Sequence, residues 1–195
     1  PGKHGIWIAK SSTSGSWDIV DCVQLNGRFN GNAVDPDIVL LPDGRYRLFY
    51  YEGHFVGPKP PTEGPHPIFS AISDDGLNFQ IERELIAVEK VTDPSVVQLA
   101  NGRWLMALSL GTRTLLADSD DGYDFELTDV EVELGGVPEL AVLPDGNVRL
   151  YVTTDGIKSA VSSDQGQTWA VEAGTRLSSS QGEILADPSL ITTSD

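Results

Sequence analysis

Residues 93–110 read Asp93-Pro-Ser-Val-Val-Gln-Leu-Ala-Asn-Gly-Arg-Trp-Leu-Met-Ala-Leu-Ser-Leu110. Two short apolar runs flank Asn101-Gly102, a pair suited to the positive φ of a hairpin turn. The stretch therefore predicts two antiparallel strands. The same pattern recurs. Asp35-Pro36 leads through Ile38-Val-Leu-Leu41 to Pro42-Asp-Gly44, then Tyr46, Leu48 and Tyr50. Val137-Pro138 leads through Leu140-Ala-Val-Leu143 to Pro144-Asp-Gly146, then Val148, Leu150 and Val152. Asp187-Pro188 opens a fourth copy. Pro36, Pro94, Pro138 and Pro188 stand 58, 44 and 50 residues apart.

A second hairpin follows each of the first three. Its turns are Ser73-Asp-Asp-Gly-Leu-Asn-Phe79, Ser119-Asp-Asp-Gly-Tyr-Asp-Phe125 and Ser162-Ser-Asp-Gln-Gly-Gln-Thr-Trp169. Each unit then holds four strands, a to d, in two hairpins. A period near fifty with four strands per unit predicts an all-β fold, a β-propeller of four-stranded antiparallel blades. The divisions expected are residues 1–29 (outer strands of a closing blade), 30–90, 91–134 and 135–182 (blades), and 183–195 (a further inner strand). Joining both ends supplies strands a, c and d of one blade but no b. The expectation is a truncated five-bladed propeller, ahead of a four-bladed one with a defective closing blade. The apolar runs at 38–41 and 140–143 predict inner strands covered on both faces.

Composition narrows the partners. The formal charge is −16, from 29 acidic and 13 basic residues in 195. That argues against nucleic acid and anionic membrane as partners, and it admits neutral glycans, cations or basic proteins. No apolar run reaches the ~18 residues of a spanning helix. Cys22 is alone, which rules out an intrachain disulfide, and its strand-like setting predicts a buried, inert thiol.

In such a blade the d–a and b–c connections share one face. Strand a is innermost, so its first residues ring the axis there. Asp35, Asp93, Glu139 and Asp187 are expected to converge. Crowded carboxylates keep some members protonated and others ionised, as glycoside hydrolysis requires. The same ring suits Ca²⁺ as a structural ion, and Asp before Pro also simply shapes turns. No other cofactor is expected. The long b–c connection, 52–66, lies on that face. Tyr51, Glu52, His54 and His66, with Asp187, are the candidates for holding a sugar.

The c–d turns resemble the Asp boxes (BNR repeats) of sialidases and related propellers, Ser-x-Asp-x-Gly-x-Thr-Trp. Residues 162–169 match in full; those at 73–79 and 119–125 are one residue shorter. Their Asp residues are structural in that motif. The whole repeat resembles the five-bladed glycoside hydrolases of the arabinanase and β-xylosidase type. The resemblance implies a carbohydrate substrate and three acids: Asp35 as general base, Asp93 as the acid that tunes and orients, and Glu139 as general acid. An extracellular or periplasmic setting would suit such a substrate. Glu139 departs from the pattern, whose Glu precedes a small residue and Pro; here it follows Pro138. A one-residue shift turns a strand side chain to the other face. A non-catalytic carbohydrate-binding or interaction propeller is the alternative.

Overall fold

The computed structural model describes residues 4–11, 16–53, 64–178 and 183–190. Strands and turns make up all its regular structure; no described residue is helical. The chain divides into two compact units, residues 1–90 and 91–195.

In the first unit, β1 (Trp7–Ser11) and β2 (Trp17–Cys22) form an antiparallel hairpin. β3 (Gln24–Leu25) and β4 (Arg28–Phe29) are two-residue strands. β5 (Ala33–Leu40), β6 (Tyr46–Glu52), β7 (Pro65–Ser73) and β8 (Asn78–Glu89) follow as a consecutive antiparallel run. β3 pairs in parallel with β8, so the fourth strand here is not the solvated edge that its charges suggest. Ile6, Val23, Leu25, Leu48, Tyr50 and Phe79 fill the core beneath this sheet.

The second unit holds two sheets. β9 (Thr92–Gln98), β10 (Trp104–Leu110), β11 (Arg113–Ser119) and β12 (Glu126–Val132) pair in sequence order. β13 (Gly136–Val142), β14 (Val148–Thr153), β15 (Gly156–Ser162) and β16 (Ala170–Val171) do the same, and β17 (Leu177–Ser178) adds to β15. Leu105, Leu116, Leu140, Val148, Leu150 and Val152 pack as one core.

The first hairpins close identically. Leu41, Leu99 and Leu143 each donate N–H to the carbonyl four residues on at 2.8 Å. Gly44, Gly102 and Gly146 take φ of 85 to 88°. These are three-residue loops whose Gly supplies the left-handed position. Asp43, Asn101 and Asp145 each accept the N–H two residues ahead at 3.0 Å, which holds the loop.

The second hairpins also share one design. Ser73, Ser119 and Ser162 Oγ accept the N–H of Gly76, Gly122 and Gly166 at 2.8 to 3.0 Å. Asp75, Asp121 and Asp164 accept N–H groups further round the turn. Those bonds favour the ionised form. Asn78 N–H most of all holds Asp75 well below the carboxylate range, and Thr168 brings Asp164 to about 2. A lowered folded pKa gives stability that is complete above the unfolded value and is lost as pH falls through the folded one. Tm should therefore drop between about pH 4 and about 2. Asp164→Asn should make that drop shallower; an unchanged slope would remove the turn from the explanation.

One expectation is corrected. β5 is not covered on both faces: Ile38 is 47% and Leu40 64% exposed, alternating with half-buried neighbours. Val142 in β13 is also exposed. An unbroken apolar run fits a doubly covered strand, but it cannot reveal that the outward face lacks a neighbour. β9 does bury successive residues, Pro94 to Val96.

Buried ion pairs brace the outer sheets of this series. Arg47, Leu105 and Arg149 each lie three residues past their turn glycine. Arg47 meets Glu82 at 3.1 Å and Arg149 meets Glu172 at 2.8 Å, with Ser159 Oγ also donating to Glu172 at 2.7 Å. Leu105 instead joins the apolar core.

Candidate functional site

Four residues that precede proline share one backbone conformation. Asp35, Asp93, Val137 and Asp187 have φ of 51, 49, 49 and 54°. This is an unfavourable place for an L-residue, and a following proline normally drives its neighbour to extended backbone. Each instance costs of order 1–3 kcal/mol. At the first three the strand register breaks: between Val34 and Asp37, opposite Ala107 and Ser109, and between Gly136 and Glu139. They are β-bulges, which re-aim side chains at strand ends. The sequence repeat thus returns as a repeated strain, and three of its four carriers are aspartates.

In the second unit the bulges bring acids together. Asp93 is half-buried in β9. Burial raises its pKa most; the Thr92 hydroxyl, at 2.6 Å, opposes that, and the charge of Asp187 adds to it. Asp187 itself is exposed. Glu139 stands two residues beyond its bulge. Its Oε2 accepts from Ser95 Oγ at 3.1 Å and its Oε1 from the Leu190 N–H at 3.2 Å. Burial raises the Glu139 pKa and outweighs both bonds. Ser95 Oγ, itself buried, accepts the Leu140 N–H at 2.9 Å, which directs its proton to Glu139. A cleft of about 330 Å³ lies between Tyr151, Ile157, Leu177 and the segment carrying Asp187 and Leu190.

The position that the glycosidase pattern gives its acid, two before the proline, is Gly136. A Cβ there would lie 2.1 Å from Gly111 O and 2.8 Å from Ser109 Oγ. No side chain fits, so any acid of the third repeat is Glu139.

In the first unit, Asp35 is half-buried and opens into a cleft of about 510 Å³ that also takes in His4, Ile6 and Trp7. Tyr51 is buried, and one ring face stacks on His66 at 4.9 Å. That face is taken by protein rather than offered to a sugar. Glu52 accepts from Asn30 Nδ2 at 3.3 Å. His54 lies outside the described residues. Among the described residues, no three His, Cys, Asp or Glu side chains group as metal ligands. Sequence reasoning missed Ser95 and Trp7. Ser95 shares Glu139's column after the proline, and that alignment was the available signal.

No protein-family model matches the sequence, and no curated protein matches it. Solved structures do. A thermostable family-43 glycoside hydrolase is similar with a TM-score of 0.63 at 16% identity, over 91% of this chain and 69% of that one. Zg3597, a family-117 glycoside hydrolase from Zobellia galactanivorans, is similar with a TM-score of 0.60 at 15% identity, over 88% of this chain. The fold is of β-propeller type. A fructofuranosidase from Schwanniomyces occidentalis shares it, with a TM-score of 0.65 at 14% identity over 87% of this chain. The propeller chain described here spans 62% of the Zobellia enzyme's length and 39% of the fructofuranosidase's. Identities this low establish shared architecture.

Proposed function

We propose that the chain acts on glycans as a glycoside hydrolase of the acid–base type. The observation that carries this is the strained pre-proline bulge, repeated four times with aspartate in three. Backbone strain of this kind persists where surrounding structure holds it for a purpose, most often at sites of chemistry. Half-buried Glu139, its pKa raised, suits the role of proton donor to the departing glycosidic oxygen. As the bond from the anomeric carbon to that oxygen breaks, water supplies the new bond and an ionised carboxylate takes the water's proton. Asp35 is the candidate for that base, as its motif implies, and Asp93 for the acid that tunes charge. The similarity in fold to three glycoside hydrolases supports the same reading.

A second reading, carbohydrate binding without turnover, has one observation in its favour. Both Glu139 oxygens already accept protein hydrogen bonds. The test is reducing-sugar release from neutral oligosaccharides by the intact chain, with binding measured in parallel. Release is the expected result. Binding without release favours the second reading, and neither one contradicts both.

A further inference from the structure

We propose that the cleft beside Asp35 in the first unit binds an uncharged sugar ring, with the indole of Trp7 as its stacking platform. The proposal rests on the glycan-directed reading above and adds the class of sugar and the residue that receives it. Its walls are Gly5, Ile6, Trp7, Val34 and Pro36, with His4 and Asp35 as the polar groups. That is the composition of a small-molecule site: mostly apolar, with a few groups that fix orientation. Its volume, about 510 Å³, falls within the ~300–1,000 Å³ common for such sites.

Trp7 is 46% exposed, although a core that could bury it lies directly beneath. It is not loose. Phe29 packs against it at 5.9 Å with the rings tilted by 58°. Phe29 reaches that place because residue 5 is glycine: a Cβ there would lie 2.5 Å from Phe29 Cζ, and φ at Gly5 is +128°. The platform is therefore held before any ligand arrives, which reduces the ordering cost of binding. A sugar ring presents apolar C–H faces and a polar rim. The indole meets the face, and the Asp35 carboxylate, aimed by its bulge, meets the hydroxyls. No Lys or Arg lines the cleft, and the chain carries −16. A uronate or sulfated sugar would bring its negative charge to a carboxylate with no cation to answer it.

The experiment is titration of the intact chain with xylobiose, arabinobiose and digalacturonate, read by calorimetry and by indole NMR shifts. At least one neutral disaccharide should bind and shift the Trp7 indole signal. Trp7→Ala should weaken that binding about 5- to 10-fold, the scale of one lost aromatic face. Trp7→Phe should keep most of it, and digalacturonate should bind far more weakly. Equal affinity in Trp7→Ala, equal affinity for the uronate, or no neutral binding would overturn the proposal. Should Trp7→Ala fail to fold, a Trp7 signal that stays still in the wild-type chain at saturation overturns it instead. The two readings fail separately. Trp7-dependent binding without hydrolysis removes turnover alone, whereas hydrolysis indifferent to Trp7 removes this cleft alone.

Discussion

Glu139→Gln should lower hydrolysis of a glycan with an unactivated leaving group by about 10²- to 10⁴-fold, the span of a positioned general acid. An aryl glycoside whose phenolate departs without a proton should lose far less. Gln keeps the shape and still accepts from Ser95 and Leu190, so the fold is undisturbed. The proton alone is missing. Its pH dependence follows from burial. Glu139 has a raised pKa, so the donor form persists above the ordinary glutamate range and activity falls as pH climbs through the raised value. Ser95→Ala removes a bond that lowers that pKa, and the alkaline limb should move to higher pH. The stability effect has the same direction. A raised folded pKa gives stability that is complete below the unfolded value and is lost as pH rises through the folded one. The turn aspartates behave oppositely, since theirs are lowered. Equal loss on natural and aryl substrates would show that Glu139 donates no proton.

Gly136→Ala should destabilise the chain by about 3 kcal/mol, at the upper end of overpacking costs. The added methyl meets the Gly111 carbonyl at 2.1 Å and Ser109 Oγ at 2.8 Å. Backbone cannot swing aside as a flexible side chain does. The Ser109 hydroxyl is also committed, accepting the Val137 N–H at 3.0 Å. Gly146→Ala is the control. Nothing lies within 4 Å of its Cβ, and only its φ of +85° resists, at roughly 1–2 kcal/mol. Urea melts compare the two. A cost at Gly136 no greater than at Gly146 would mean that the strands can part there. An acid at 136, as in the glycosidase pattern, would then be sterically admissible. If the larger cost holds, Gly136→Glu unfolds the chain rather than activating it.

What the sequence made legible was local. The Pro-Asp-Gly and Ser-x-Asp-x-Gly turns announce themselves because their hydrogen bonds close within five residues. Their recurrence gave the strand order. The bulges were hidden. Asp35 and Asp93 were visible as candidates, but a residue before proline is expected to be extended, so their positive φ ran against the local rule. Exposure of Ile38 and Leu40 was hidden for a different reason, since it depends on what fails to pack against β5. The parallel pairing of β3 with β8 and the stacking of Tyr51 on His66 are long-range contacts with no local signature. Glu139 lies between these cases. Its offset from the proline was plain, but its partners Ser95 and Leu190, 44 and 51 residues away, needed the fold.

The central claim is that the inner strands hold carboxyl groups in a partly buried state fit for proton transfer. Carbon-13 NMR titration of the Asp and Glu carboxyls in the intact chain measures it directly. Asp93 and Glu139 should be among the last carboxyls to ionise as pH rises, well after Asp75, Asp121 and Asp164. Titration of both within the range of the exposed surface acids would contradict the account.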